Sequence, residues 1–377
     1  MKRRTVLTGL GVLAAAGAGA YWTLAPKPAE VGFILTETEL ARAHDFLAAH
    51  VSIDVHAHPG RTFVRGASGL NWKLKLYQML GSFEPRIVGE MKAGGLTAAS
   101  FSAVSDFPVL DLQGGGLSSV REFKPGEAYG YYQAQIANLK ALAADGLVHP
   151  VLTPDDVAAA KALGRPGAIF AVEGADFVED DLSRVAKAFD DGVRMITLVH
   201  YISGGAIGDI MTAPPVHDGL TELGAGLVEA IGESRIMLDL SHASEKTAFD
   251  ALSVTKKPVV ATHTHINSLG IGHPRFISPE LAKAIADTGG YIGAWPAGIG
   301  ITSLDGFATR VVDLVKAVGE DHVALGSDMD ANYKPVLETY LKLPLLVGVL
   351  LKRGMPESVL AKMIGGNAQR VFADTLA

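Results

Sequence analysis

The chain contains no cysteine among its 377 residues. This absence excludes disulfide bonds, thiolate metal ligands, a cysteine nucleophile and the lipid-modified cysteine of a lipoprotein. Any metal ion must therefore be bound by histidine and carboxylate side chains. Charged residues are also sparse, at 19%, and a net charge of −7 does not favour nucleic acid as a partner. A small-molecule ligand is the better expectation.

The first residues are predicted to be an export signal that precedes the fold. Lys2, Arg3 and Arg4 lead into an uncharged run over 5–25 that is rich in Leu, Ala and Gly, with the small residues Ala18-Gly19-Ala20 as a cleavage site. The paired arginines resemble a bacterial twin-arginine signal. Cleavage would release the protein into the periplasm, whereas an uncleaved run is long enough to tether it to the membrane. We therefore predict a signal or anchor over 1–26 and an exported, periplasmic or envelope-associated protein.

Eight apolar runs, most of them separated by helical patterns, predict the fold of residues 33–377. The predicted strands cover 51–55, 96–104, 168–173, 193–200, 235–242, 258–263, 290–295 and 322–328. Continuous rather than alternating apolar residues indicate strands buried on both faces, as in a parallel sheet covered by helices. We predict a single α/β domain, a (β/α)8 TIM barrel. A doubly wound open sheet is the alternative, but no Gly-x-Gly-x-x-Gly follows an early strand to indicate a dinucleotide site.

Metal-binding side chains stand at the ends of six of these eight predicted strands. They are His56 and His58, Glu173, His200, His242, His263 and Asp328. In a barrel the carboxyl ends of all strands meet at one mouth, so these side chains are expected to converge. The set suits two divalent ions, zinc above all, with manganese, cobalt or iron as alternatives, and Glu173 is the best candidate for the bridging ligand. The alternative interpretation is that these are unrelated polar residues on separate loops that do not form a common site.

Several stretches resemble the membrane (renal) dipeptidase family. They are 172–176, 195–200, 217–221, 237–244, 258–263, 326–330 and the closing Gly-Asn-x-x-Arg-Val-Phe at 366–372. The match covers most of residues 50–375 in the family's order. The resemblance implies a binuclear zinc peptidase with the metallo-dependent hydrolase fold of the amidohydrolase superfamily. It also implies a small dipeptide or amide substrate, attack by a metal-bridged hydroxide, and frequent homodimers.

The resemblance also implies roles for individual residues. One ion would be bound by His56 and His58, and the other by His242 and His263. Glu173 would bind both ions.

Three further residues would handle the substrate. His200 would polarise the substrate carbonyl, and Arg275 would hold the substrate carboxylate. Asp328 would contact the substrate amine and move a proton to the leaving nitrogen.

Three departures from the family pattern weaken the prediction of a dipeptide substrate. The family has His-x-Asp at the first strand where this chain has His58, and the loops 201–205 and 294–298 lack the usual Asn-containing and Asn-Phe patterns. Alternatives are an N-acyl-amino-acid hydrolase, a lactonase, a phosphotriesterase-like enzyme, or a non-catalytic metal-binding envelope protein. Of the neighbouring polar residues, we expect His265 to be a loop histidine and Asp239 to be structural or to support a ligand.

Overall fold

The computed structural model describes residues 27–68, 70, 72–79, 83–113, 116–267 and 271–377. The predicted signal or anchor over 1–26 lies outside these residues, so its cleavage and the export of the protein stay predictions. Within the described ranges, no helix is both long and apolar enough to cross a membrane. The homodimer also stays a prediction.

Eight parallel strands close into a barrel, which confirms the predicted (β/α)8 fold. In chain order they are β1 (Ile53–Asp54), β2 (Ala98–Val104), β3 (Gly167–Glu173), β4 (Val193–Thr197), β5 (Met237–Asp239), β6 (Val259–Thr264), β7 (Ile292–Ala294) and β8 (Val323–Leu325). Successive strands pair from β1 to β8, and β1 pairs with β8 to complete the ring. The two-residue strand His149–Pro150 pairs with the start of β3. Every barrel strand was predicted from the sequence, but several predicted strands are longer than the observed ones.

Helices surround the barrel. They are α1 (Glu37–Ala49), α2 (Trp72–Met79), α3 (Glu84–Gly94), α4 (Glu127–Ala144), α5 (Pro154–Leu163), α6 (Ser183–Asp190), α7 (Glu222–Glu233), α8 (Glu245–Val254), α9 (Pro279–Asp287), α10 (Leu304–Val318), α11 (Leu343–Lys352), α12 (Glu357–Ala361) and α13 (Asn367–Leu376). A capping box begins α1, because Thr36 and Glu39 exchange side-chain and backbone hydrogen bonds.

The last helix, α13, closes the amino-terminal end of the barrel. Val371 and Phe372 are buried in one apolar cluster with Met195 and Met237. The Asn367 side chain donates hydrogen bonds to the carbonyl oxygens of Glu320 and Val323, at the start of β8. The Gly-Asn-x-x-Arg-Val-Phe stretch therefore has a structural function, at the end of the barrel opposite to the predicted site.

Loops after the strands cover the other end. An antiparallel hairpin, Leu110–Gln113 with Gly116–Ser119, was not predicted; it contacts the loop after β4 through a hydrogen bond from Ser119 N–H to Tyr201 O. That loop folds around Asp209, whose carboxylate accepts backbone N–H groups including those of Val216 and Gly219. These loops form the rim of the predicted site.

Candidate active site

The structure brings the predicted ligands together around the carboxylate of Glu173. Its oxygens lie 3.2 Å from His56 Nε2, 3.3 Å from His58 Nε2, 3.4 Å from His200 Nε2, 3.1 Å from His242 Nε2 and 3.5 Å from His263 Nε2. All six residues are at least 95% buried. Scattered loop residues would not converge in this way, so the alternative of unrelated polar strand ends is wrong.

Strand register places Glu173 at the centre. It is the last residue of β3, aligned with Val104 of β2 and Thr197 of β4. The next residue, Gly174, has φ of +81°, and a Cβ atom there would lie 2.9 Å from Ser105 Oγ. Only glycine fits this turn without strain. Gly174 therefore allows the backbone to turn immediately after Glu173, the last residue of β3.

The two histidines after β1 are tied to the segment after β8. The carbonyl oxygen of His56 accepts the N–H of Asp328 at 2.7 Å, and the N–H of His58 donates to Met329 O at 2.9 Å. Beneath them the buried Asp54 carboxylate accepts hydrogen bonds from the backbone N–H of His56 and the Tyr340 hydroxyl. The backbone positions of His56, His58 and Asp328 are therefore fixed relative to one another.

Two of the site residues have unusual backbone conformations. His242 has φ of +72° and Asp328 has φ of +53°, in the left-handed region that side chains other than glycine seldom adopt. Such strain persists only where surrounding contacts enforce it, and it is concentrated at functional sites. Here it turns both side chains toward the mouth directly after β5 and β8.

The side chains form two ligand groups that share Glu173. One group is His56, His58 and Glu173, and the other is Glu173, His242 and His263; within each, the ligand atoms lie within 4.8 Å of one another. His58 Nδ1 donates to the carbonyl oxygen of Ser102 at 3.1 Å, which leaves a lone pair on Nε2 facing the Glu173 carboxylate. Among the residues that the structure describes, His56 Nε2 is buried and has no hydrogen-bond partner, although it lies 3.2 Å from Glu173 Oε1. Imidazole lone pairs and carboxylate oxygens that converge in a buried site are the ligands that divalent cations prefer, so these residues fit divalent metal ions.

The electrostatics of the cluster favour a cation. Burial would raise the pKa of Glu173, but the imidazoles of His200 and His56 outweigh burial and hold that pKa well below its usual range. Burial would lower the pKa of His56, but the Glu173 carboxylate raises it to about 9. Burial, reinforced by nearby positive charges, holds the pKa values of His242 and His263 well below their usual range. The cluster therefore contains imidazoles that are available as neutral ligands.

His200 belongs to a separate pair with Asp106. Its Nδ1 lies 2.7 Å from Asp106 Oδ1, and Asp106 Oδ2 accepts the backbone N–H of Tyr201. Burial would lower the pKa of His200, but the carboxylates of Asp106 and Glu173 outweigh burial and raise it. Our sequence reasoning missed Asp106, although it follows β2 by two residues and the rule about strand ends would have found it.

Asp328 lies at the edge of the cluster. Its Oδ1 is 3.6 Å from His58 Nε2, and the residue is 8% exposed. Burial raises the pKa of Asp328 to about 6, against the opposing effects of His58 and His56. A carboxyl group with a pKa near neutrality can both donate and accept a proton, which suits acid–base chemistry.

Arg275 reaches the cluster from the loop between β6 and α9. Its Nη1 lies 2.8 Å from His242 Nδ1 and 3.3 Å from the Tyr201 hydroxyl, and its guanidinium lies over the Trp295 ring at 4.9 Å. Arg275 Nε and Trp295 Nε1 are buried N–H donors that have no partner within the described part of the chain. Tyr201 and Trp295 lie in the two loops that depart from the family pattern, and together with Arg275 they provide donors for an anionic group.

The two remaining polar residues considered in the sequence, His265 and Asp239, have different surroundings. His265 lies outside the ligand groups; its ring packs against Phe276, and burial lowers its pKa to about 3. Asp239 is fully buried and accepts hydrogen bonds from the hydroxyls of Thr197 and Thr262. The predictions of a loop histidine and of a supporting aspartate agree with these positions.

Comparison with known sequences identifies a protein family that matches this chain. A family model described as membrane dipeptidase (peptidase family M19) matches residues 40–377. The chain is similar to Dipeptidase verJ of Clonostachys rogersoniana, with 29% identity over 215 residues that cover 55% of this chain and 55% of verJ. The match therefore spans about half the length of that relative.

Solved structures with the same barrel include two bacterial proteins. The probable dipeptidase PvdM from Pseudomonas aeruginosa has a TM-score of 0.73 and 18% identity over 91% of this chain and 99% of PvdM. A metallo peptidase from Rhodobacter sphaeroides, liganded with a phosphinate mimic of the dipeptide L-Ala-D-Ala, has a TM-score of 0.70 and 22% identity over 86% of this chain and 99% of that chain. At these identities the likeness establishes the shared fold.

Proposed function

The chain belongs to the membrane dipeptidase family, peptidase family M19, and from this membership we propose that it hydrolyses the amide bond of dipeptides in a metal-dependent reaction. The observation that carries the proposal is the pair of ligand groups that share Glu173 at the barrel mouth. The ligand mimic bound by the Rhodobacter relative supports a small dipeptide such as L-Ala-D-Ala as the substrate class.

We propose zinc as the metal, with His56, His58 and Glu173 holding one ion and Glu173, His242 and His263 the other. When bound, the two ions would acidify a water molecule and polarise the substrate carbonyl. The chain's own residues supply the remaining steps, which are binding, orientation and proton transfer.

His200 is placed to stabilise negative charge on the carbonyl oxygen. Asp106 holds the Nδ1 side of the ring, so Nε2 faces the cluster. The negative charge of Asp106 favours the protonated ring, in which Nε2 can donate a hydrogen bond to the oxygen as the tetrahedral centre forms. Asp106 is therefore a positioning residue for His200.

Asp328 is placed to serve the leaving nitrogen. The amide nitrogen must gain a proton as the C–N bond breaks, and an acid with a pKa near neutrality is suited to deliver it. Asp328 combines this pKa with a position at the edge of the ligand cluster, at the opening of the mouth. The free amino group of a dipeptide would pair with the ionised Asp328 carboxylate before the reaction. Asp328 would then take the proton that the attacking water releases and pass it to the leaving nitrogen.

Arg275 and Tyr201 are placed to bind the substrate carboxylate. A guanidinium donates to a carboxylate through two parallel N–H groups, and the Tyr201 hydroxyl beside Nη1 can add a third donor. Arg275 Nε has no partner among the residues described in the structure, which is consistent with a ligand that completes its hydrogen bonds.

We expect the substitution Tyr201→Phe to raise KM for a dipeptide about tenfold with little change in kcat. The reason is the loss of one hydrogen bond to a charged group, which contributes about 1.5 kcal/mol. Steady-state kinetics on L-Ala-D-Ala would measure this. The dipeptide amide, which has no carboxylate, is the control substrate and should be hydrolysed equally by both proteins. An equal loss on both substrates would contradict the role of Tyr201.

The experiment that tests the proposed function is a matched substrate panel. The purified protein would be assayed with L-Ala-L-Ala, L-Ala-D-Ala, N-acetyl-L-Ala, a lactone and a phosphotriester, before chelation, after it, and after zinc is restored, with bound metal counted. We expect cleavage of the dipeptides that disappears with the chelator and returns with zinc. Cleavage of N-acetyl-L-Ala alone would instead indicate an acyl-amino-acid hydrolase. Two bound ions without any hydrolysis would indicate a non-catalytic protein.

A further inference from the structure

One buried hydroxyl contacts both ligand groups. Thr262 lies in β6 directly before His263 and is fully buried. Its Oγ1 lies 3.1 Å from His56 Nδ1, 3.0 Å from His263 Nδ1 and 2.8 Å from Asp239 Oδ2. His56 follows β1 and His263 lies in β6, and the two belong to different ligand groups. Their rings stack with centroids 3.8 Å apart.

The direction of each hydrogen bond follows from Asp239. Its Oδ1 accepts the N–H groups of Ser241 and Thr262 at 3.0 and 2.9 Å, and its Oδ2 accepts the hydroxyls of Thr197 and Thr262. Since a carboxylate only accepts, the Thr262 hydroxyl hydrogen must point to Asp239. The two lone pairs of Thr262 Oγ1 then remain for other donors.

The ring nitrogens of the two histidines are the nearest such donors. The Ser241 hydroxyl is also close but lies farther away, at 3.3 Å. Each imidazole that donates through Nδ1–H carries its lone pair on Nε2. For both His56 and His263, Nε2 is the nitrogen that faces Glu173.

We infer that Thr262, oriented by Asp239, fixes His56 and His263 as Nδ1–H tautomers and thereby positions one ligand of each metal ion. This inference rests on the metal-dependent function proposed above. Hydrogen bonds behind metal-bound histidines typically change metal affinity 10–100-fold, and here a single hydroxyl makes that bond for both ions.

The same geometry decides the role of Asp239. Its carboxylate, His56 and His263 offer ligand atoms within 4.8 Å of one another and could by distance alone hold a further ion. The four donors already on the carboxylate occupy its oxygens, however. Asp239 therefore supports the two ligand groups through Thr262.

Three variants of the full protein test the inference. Thr262→Val removes the hydroxyl, Thr262→Ser retains it, and Thr197→Val removes the other hydroxyl donor to Asp239 without touching an imidazole. Zinc affinity would be measured by competition with a chromophoric chelator, and the unfolding midpoint of each metal-free protein by circular dichroism. We expect Thr262→Val to weaken zinc binding about 10–100-fold, with affinity restored in Thr262→Ser and nearly unchanged in Thr197→Val.

Zinc affinity in Thr262→Val equal to that of the parent, or an equal loss in Thr197→Val, would overturn the inference. Nitrogen-15 NMR of the zinc-loaded parent provides a second readout, because it should show Nδ1–H tautomers for His56 and His263; Nε2–H tautomers would overturn the inference. Two bound ions without dipeptide cleavage would contradict the proposed substrate alone. A parent protein that binds no zinc would contradict both proposals.

Discussion

Glu173→Gln is expected to remove nearly all hydrolytic activity and to reduce the bound zinc from two ions to less than one per chain. The substitution keeps the shape of the side chain but removes the charge that five imidazoles surround. Both ligand groups contain Glu173, so neither would keep an anionic ligand. Without an acidified water, we expect kcat to fall by about a thousandfold or more. Metal content by mass spectrometry and kcat on L-Ala-D-Ala would measure the two effects.

Glu179→Gln is the matched control for this prediction. Glu179 lies in the same loop after β3, and its carboxylate pairs with Arg184 at 3.0 Å instead of entering the cluster. The control should keep two ions and the parental rate. Two zinc ions and a parental kcat in Glu173→Gln would show that the shared carboxylate is not the centre of the site.

The convergence of the proposed ligands could be predicted because they follow one rule. Each is at or just after the end of an apolar run, and parallel strands in a closed barrel bring those ends to one mouth. The rule tolerates errors in strand length: β1 has only two residues, against five predicted, yet His56 and His58 lie where the longer strand would have put them. Which residues lie at the mouth depends on the order of strands and helices along the chain, and hydrophobic patterns reveal that order. It does not depend on the details of side-chain packing.

The contacts that orient His200 and the ligands could not be predicted in the same way, although the rule about strand ends would have placed Asp106 at the mouth. Asp106 is 94 positions away from His200, and Thr262 is 206 away from His56. No local pattern connects such pairs, because their contact results from barrel closure and from side-chain rotamers. The resemblance to the dipeptidase family implied that Arg275 holds the substrate, but the sequence does not show that the guanidinium contacts His242 and Trp295.

The replacement of the family aspartate by His58 has a structural counterpart. His58 Nδ1 donates to the carbonyl oxygen of Ser102 at 3.1 Å. An aspartate at this position could donate no such bond when ionised, and its oxygens would face another acceptor. The neighbouring β2 backbone thus suits an imidazole. A neutral ligand also leaves the site one unit more positive than an aspartate would, which favours the anionic end of a substrate.

Asp328→Asn is expected to separate metal binding from catalysis. The amide keeps the size of the side chain but cannot deliver a proton, so we expect kcat on L-Ala-D-Ala to fall by about 10²–10⁴-fold. Asp328 belongs to neither of the two ligand groups, so two zinc ions should remain bound. This combination differs from that expected for Glu173→Gln, in which metal and activity are lost together.

Asp330→Asn is the control, because Asp330 also has a left-handed backbone and follows β8 but supports the loop after β1. Its Oδ2 accepts the N–H of Gly60 at 2.7 Å, and Asp330 belongs to neither ligand group. We expect this change to lower the unfolding midpoint while kcat stays within a few fold of the parent. If Asp328→Asn instead lost one zinc ion, Asp328 would be a ligand, and the proton for the leaving nitrogen would have to come from another group. His200 is then the best-placed donor, because its protonated ring is already stabilised by Asp106 and its Nε2 faces the same cluster.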